Sequence, residues 1–215
     1  IMATLNRNSI ICLDLETGSK FKDTTEILQI AAVAIHPRNL EFIDEFSAYA
    51  KPLEPEKIED EALRINHIDR DFILQQAHPK QVWNDFVKFV ERHNFKKSSW
   101  TSPIIAGYNI RGFDLPIISR YCQKYGPWKD NRQQLFSDFQ QLDVLDMIFL
   151  FTENSDIIEN RKLDTIRKWM GLKTEGSHNA IKDTKDTAKI LIKFIKMFRQ
   201  QAPKIKFENS FSSEV

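Results

Sequence analysis

Two cysteines in 215 residues, with no CxxC pair, leave no disulfide framework and no redox or zinc motif of that spacing. Cys12 lies in an apolar run and Cys122 in an expected helix, so both are read as buried, reduced thiols of a cytoplasmic protein. No apolar run approaches the roughly 20 residues that a membrane-spanning helix needs. No signal-peptide pattern opens the chain either, so no membrane or secretory segment is expected. No repeat or low-complexity tract divides the sequence. A hydrophobic share of 41% and a charged share of 28% are ordinary for a globular chain. The length suits one α/β domain over residues 8–200, with 201–215 as a polar, flexible tail.

The net charge of +1 hides an uneven distribution. Residues 161–206 carry thirteen Lys and Arg against four Asp and Glu, whereas residues 1–160 carry eighteen against twenty-four. An acidic body beside a basic segment suits a metal pocket flanked by a phosphate-attracting surface, and equally a lysine-solvated helical end.

Ile10-Ile11-Cys12-Leu13 has the composition of a buried central strand. Ile27–Ile35 is apolar and β-branched, and 40–49 alternates, so residues 10–49 predict a three-stranded meander. Pro52 and Pro55 mark a loop before a helix over 56–64. Val82, Phe86, Val87, Phe89 and Val90 give a helical stripe within 81–93. Residues 103–108 predict a fourth strand, 116–124 a helix, 126–141 an irregular excursion, and 142–145 a short fifth strand entering a helix. Helices over 162–170 and 180–199 close the chain. Strands first, then strands alternating with helices, imply a mixed sheet flanked by helices.

Four carboxylates and a histidine stand out against that frame. Asp14 and Glu16 are two apart on an extended segment, so they share a face, and their repulsion would be relieved by a hard divalent cation. Taken alone, the pair also fits a strand running into an acidic loop. Asp114 precedes Leu115-Pro116 and by itself reads as a helix cap. On a helix from Ala180, Lys182, Lys185, Lys189, Lys193 and Lys196 form one stripe together with Asp186, which is read as a solvated partner of those lysines. Thr187, Leu191, Phe194, Ile195 and Phe198 form the opposite, core-facing side, and Asp183 falls with them, where an unpaired carboxylate needs a partner such as a metal. His178 precedes this helix in a loop and titrates in the range suited to a general base.

Asp14-Leu15-Glu16-Thr17-Gly18, Asn109 through Asp114, and His178 through Asp183 together resemble the three motifs of the DEDDh (DnaQ-like) 3′–5′ exonucleases. A histidine five residues before the last aspartate distinguishes that branch from its tyrosine-bearing sister. Gly18 departs from the pattern, since many members carry a second Thr or Ser there. The resemblance implies a ribonuclease H-like mixed five-stranded sheet flanked by helices. It also implies a 3′–5′ exonuclease releasing 5′-mononucleotides from single-stranded or frayed DNA ends. Asp14, Glu16, Asp114 and Asp183 would hold two Mg²⁺ or Mn²⁺ ions, with His178 as base. Leu15, Thr17 and Phe113 would contact the terminal nucleotide. The implied partners are single-stranded nucleic acid, DNA favoured over RNA, and a polymerase or replication protein. An exoribonuclease of the oligoribonuclease or RNase T kind is the alternative. A non-catalytic binding module is another, although its mark, a missing ligand or base, is not found.

Overall fold

In a computed structural model of the chain, residues 8–173 and 179–204 are described, apart from the Ser99 side chain. A five-stranded sheet organises them: β1 (Ile10–Thr17), β2 (Ile27–Ile35), β3 (Phe42–Tyr49), β4 (Ile104–Gly107) and β5 (Gln141–Asp143), in the order β3-β2-β1-β4-β5. The first three strands pair antiparallel. β4 then joins β1, and β5 joins β4, in parallel. The mixed sheet and the meander are as expected. β1 runs four residues past the apolar tetrad, so Asp14 and Glu16 lie on the strand itself.

Alternation along β1 divides the core in two. Ile11, Leu13 and Leu15 face a layer built by α3 (Pro79–Arg92) and α4 (Asp114–Tyr125), where Trp83, Phe86, Phe89, Ile117 and Tyr121 are buried. Ile10 and Cys12 face the opposite layer, with Leu191, Phe194 and Ile195 of α7 (Ala180–Gln201). Asp14 and Glu16 continue this second face, because side chains two apart on a strand point the same way. The first turn of α7 is docked there at Thr184: the Cys12 thiol donates to its carbonyl at 3.8 Å, and its hydroxyl, which donates to the Ala180 carbonyl at 2.7 Å, lies 3.4 Å from the Ala31 carbonyl.

Several elements differ from the sequence expectation. The helix foreseen over 56–64 is a 3₁₀ turn (Pro55–Lys57) followed by α1 (Asp60–Ile65), and α2 (Arg70–Leu74) follows, capped by Asp69 accepting from the Phe72 N–H at 2.8 Å. The 126–141 excursion contains a two-residue hairpin pairing Trp128–Lys129 with Arg132–Gln133, and it returns Leu135 and Phe136 to the core. α5 (Val144–Thr152) and α6 (Leu163–Trp169) complete the set. Phe198, expected to face the core, is 51% exposed near the end of α7.

Trp83 is sealed against Phe86 and Tyr121 and donates its indole N–H to the Gly126 carbonyl at 2.6 Å. Trp83→Ala is expected to lose about 3–5 kcal/mol of stability, measured by chemical denaturation, because the surrounding aromatics cannot close the cavity.

Candidate active site

Three chain segments converge at the far end of β1. Asp14 and Glu16 come from the strand, opposite Ala31 and Gln29 of β2, and a register shift after Glu16 ends regular pairing. Asp114 comes from the start of α4 and Asp183 from the first turn of α7, where the helix N-terminus favours negative charge. Like charges brought together while partly withdrawn from water raise one another's pKa. Burial first, and then Asp183, push Asp14 up to about 7 although Arg167 pulls it down. Burial, then Asp14 and Asp183, push Glu16 up to about 8. Burial, Asp14 and Glu16 hold Asp114 well above the usual carboxylate range, although backbone N–H groups oppose the shift. Cys12, beneath them, is likewise raised by burial and by the charges of Asp14 and Asp114.

Asp114 is not the helix cap that its position before Pro116 suggests. Phe113 occupies the cap position and makes no side-chain cap bond, while Asp114 Oδ1 accepts the Leu15 N–H at 3.1 Å and ties α4 to β1. The turn before it is held by Asp143 at the end of β5. This carboxylate accepts from the N–H groups of Asn109 (2.9 Å), Arg111 (3.2 Å) and Leu145 (3.1 Å). Asn109 takes a left-handed φ of 58°, which Asn tolerates. A Cβ on Gly112 would lie 2.6 Å from Asn109 Oδ1, so a larger residue there would have to displace the Asn109 side chain.

Of the two α7 aspartates, helix phasing placed Asp183 on the inward side, as observed, and misjudged only the exposure of Asp186. Asp183 is not left unpaired: its Oδ1 accepts from Arg167 Nη2 at 2.6 Å, and its side chain is 13% exposed. Asp186, expected to be solvated, is the more buried at 5%, beneath its expected partners Lys182 and Lys189, each at 3.0 Å, and Arg167 at 3.1 Å. Arg167, reaching across from α6, hides Asp186 from water in a way a single helical wheel cannot register. Of the other stripe lysines, Lys185 pairs with Glu45 at 2.6 Å and Lys193 donates to the Met170 carbonyl at 3.1 Å. Much of the stripe is therefore tied to the protein.

Leu15, Thr17 and Phe113, the expected nucleotide contacts, line one groove of about 350 Å³ together with Glu16. The opposite wall is Ala62, Ile65 and Asn66 of the α1 region, residues whose sequence also resembles the family's loop and helix after the third strand but to which sequence reading assigned no site role. That wall is docked by Asn66, which donates to the Thr17 carbonyl at 3.1 Å. Gly18 helps too, since a Cβ there would meet Ile58 at 2.2 Å. The departure at Gly18 thus has a packing reason. His178 lies outside the described residues, as do 174–176 of the loop before it and 205–215 of the expected tail.

An all-oxygen donor set crowded to the point of retaining protons suits a hard divalent cation. Among the described residues, no group of three or more His, Cys, Asp or Glu side chains is placed to hold a metal ion as the chain stands, and Asp183 is drawn instead to Arg167.

Comparisons with known proteins bear on the family and the fold. A family model described as exonuclease matches residues 11–191. The chain is 24% identical over 190 residues to a PolC-type DNA polymerase III of Caldanaerobacter subterraneus subsp. tengcongensis, covering 88% of this chain and 12% of that protein. It is 22% identical over 192 residues to the Staphylococcus aureus PolC-type enzyme, with the same coverage of 88% and 12%. Among solved structures, E. coli exonuclease I in complex with a dT13 oligonucleotide superposes with a TM-score of 0.71 at 19% identity, covering 91% of this chain and 42% of that one. The complex of exonuclease I with an SSB C-terminal segment gives a TM-score of 0.67 at 18% identity, covering 91% and 44%. The chain therefore spans about an eighth of the polymerases and less than half of exonuclease I.

Acids whose folded pKa is raised bind protons more tightly in the folded chain than in the unfolded one, so their contribution to stability is lost as pH rises toward the folded value. Each proton held only by the folded chain makes stability fall by about 1.4 kcal/mol per pH unit. In EDTA, the chain is therefore expected to lose about 4 kcal/mol of stability between pH 6 and pH 8.5, as Asp14 and Glu16 give up their protons. Denaturant titrations should show the slope, and Asp14→Asn should flatten it.

Proposed function

Because the chain belongs to the exonuclease family, of the DnaQ-like type with a ribonuclease H-like fold, we propose that it removes 5′-mononucleotides from the 3′ ends of single-stranded or frayed DNA by metal-dependent hydrolysis. The observation that carries this reading is the crowding of Asp14, Glu16, Asp114 and Asp183 beside a groove whose near wall is Leu15, Thr17 and Phe113.

The family works with divalent metal ions, and in this chain the four carboxylates would hold two Mg²⁺ or Mn²⁺. When bound, such ions supply charge stabilisation to the scissile phosphate and its leaving oxygen. The remaining work falls to the protein's own groups. Leu15, Phe113 and Ile65 offer apolar surface to a terminal base and sugar, and the buried end of β1 holds that surface rigid. Asp143 fixes the turn that sets both Phe113 and Asp114, so the nucleotide wall and one ligand move together. Glu16, which both lines the groove and belongs to the carboxylate set, links nucleotide contact to the scissile phosphate. His178 would take the proton from the attacking water, as the family resemblance implies.

DNA is favoured over RNA because the similar proteins are a DNA polymerase and an exonuclease crystallised with DNA oligonucleotides. The same similarity points to a polymerase or replication protein as partner.

A 3′-labelled single strand incubated with the chain and Mg²⁺ or Mn²⁺ is expected to release labelled mononucleotide at once, and a 5′-labelled copy to shorten stepwise. EDTA should stop both reactions, and Asp14→Asn or Asp183→Asn should slow them by about 10³-fold. Matched RNA should be cut more slowly. Absence of mononucleotide product with either metal, or mononucleotide released first from the 5′ end, would contradict the reading.

A further inference from the structure

Arg167 takes no part in the reaction just proposed, yet it is the most deeply placed charge beside the site, with 1% of its side chain exposed. Its guanidinium spans three aspartates: Nη2 donates to Asp183 Oδ1 at 2.6 Å, Nη1 to Asp164 Oδ1 at 2.8 Å, and Nε to Asp186 Oδ2 at 3.1 Å. Asp164 is 44% exposed and solvated by water. Asp186 has Lys182 and Lys189 as further cations. Asp183 is enclosed at 13% exposure, and its charge acts on both Asp14 and Glu16. Of the three aspartates, Asp183 is the one that belongs to the carboxylate set.

We propose that Arg167 is a built-in counter-cation that competes with divalent metal ions for Asp183. The inference rests on reading Asp183 as a metal ligand. A short charge-assisted bond engages one of its oxygens, so an entering ion must share that oxygen or displace the guanidinium. The fixed positive charge also weakens the negative potential that draws a dication into the cluster. In exchange, the chain folds with a charge-assisted bond on Asp183 before any metal arrives. The apolar stripe of α6, with Leu163, Ile166 and Met170 in the same layer, carries Arg167 inward at i, i+3, i+4 and i+7 spacing, so its burial is built into the helix.

The sign of the effect separates this role from a merely structural one, because damage to a site rarely tightens it. Mn²⁺ binding to the full chain, without nucleic acid, is to be measured by isothermal titration calorimetry for Arg167→Met and Arg167→Gln, with circular dichroism to confirm folding. Either variant is expected to bind Mn²⁺ at least about tenfold more tightly. Its melting temperature should be lower in EDTA and rise further on Mn²⁺ addition than in the unsubstituted chain. Unchanged or weaker binding by a folded variant overturns the proposal. Asp183→Asn in the same titration keeps the two readings apart. If it weakens binding while the Arg167 variants do not tighten it, only the competition fails. If it has no effect, Asp183 is not a ligand and the proposed site fails with it. Should neither Arg167 variant fold, the Arg167 Nε–H resonance of the ¹⁵N-labelled natural chain decides the matter. It is expected to shift and exchange faster as Mg²⁺ is added, and an unmoved resonance overturns the proposal.

Discussion

Repulsion among four carboxylates that the fold forces together is the constraint on which the site depends. The period-2 alternation of β1 places Asp14 and Glu16 on the face already committed, at Ile10 and Cys12, to packing against α7. That packing fixes the first turn of α7 through Thr184, and Asp183 comes with it. Asp114 arrives from the other layer, fastened to Leu15 by a backbone hydrogen bond. None of the four can retreat without undoing a strand pairing or a helix contact. The chain relieves the conflict in two ways, by proton retention on Asp14, Glu16 and Asp114 and by the Arg167 guanidinium on Asp183. A divalent cation would do the same work as both and is the agent the proposed chemistry requires.

The groove and the carboxylates are parts of one construction. Leu15 and Thr17 alternate with Asp14 and Glu16 along the same strand, so the wall that would hold a nucleotide is set by the strand that carries two of the acids. Phe113 is adjacent to Asp114, and both follow a turn that Asp143 holds by backbone N–H groups from two of its residues. The rigidity of the sheet is thereby passed to groups that sit on a turn.

How much of this was legible in the sequence depended on the range of the interactions involved. The meander was readable because the apolar content of β1 and β2 and the alternation of residues 40–49 are local signals. The four carboxylates were readable from spacing joined with the family resemblance. Taken alone, Asp114 read as a cap because the Leu15 N–H it binds lies 99 positions away. Asp186 was taken for a surface residue because its cover comes from α6, which a wheel drawn for α7 omits. Arg167 was passed over because arginine is ordinarily solvated. Its place in the apolar stripe of Leu163, Ile166 and Met170 was the signal that marked it for burial. Ala62, Ile65 and Asn66 carry no chemical label and become a groove wall only when Gly18 and Ile58 bring α1 onto the end of β1.

Anomalous diffraction from crystals of the chain grown with Mn²⁺ and a 5′-mononucleotide tests the central claim most directly. The account predicts two manganese peaks enclosed by Asp14, Glu16, Asp114 and Asp183, with the nucleotide between Leu15, Thr17 and Phe113. Manganese bound elsewhere, or a carboxylate cluster still closed on Arg167 and its own protons at saturating metal, would contradict it.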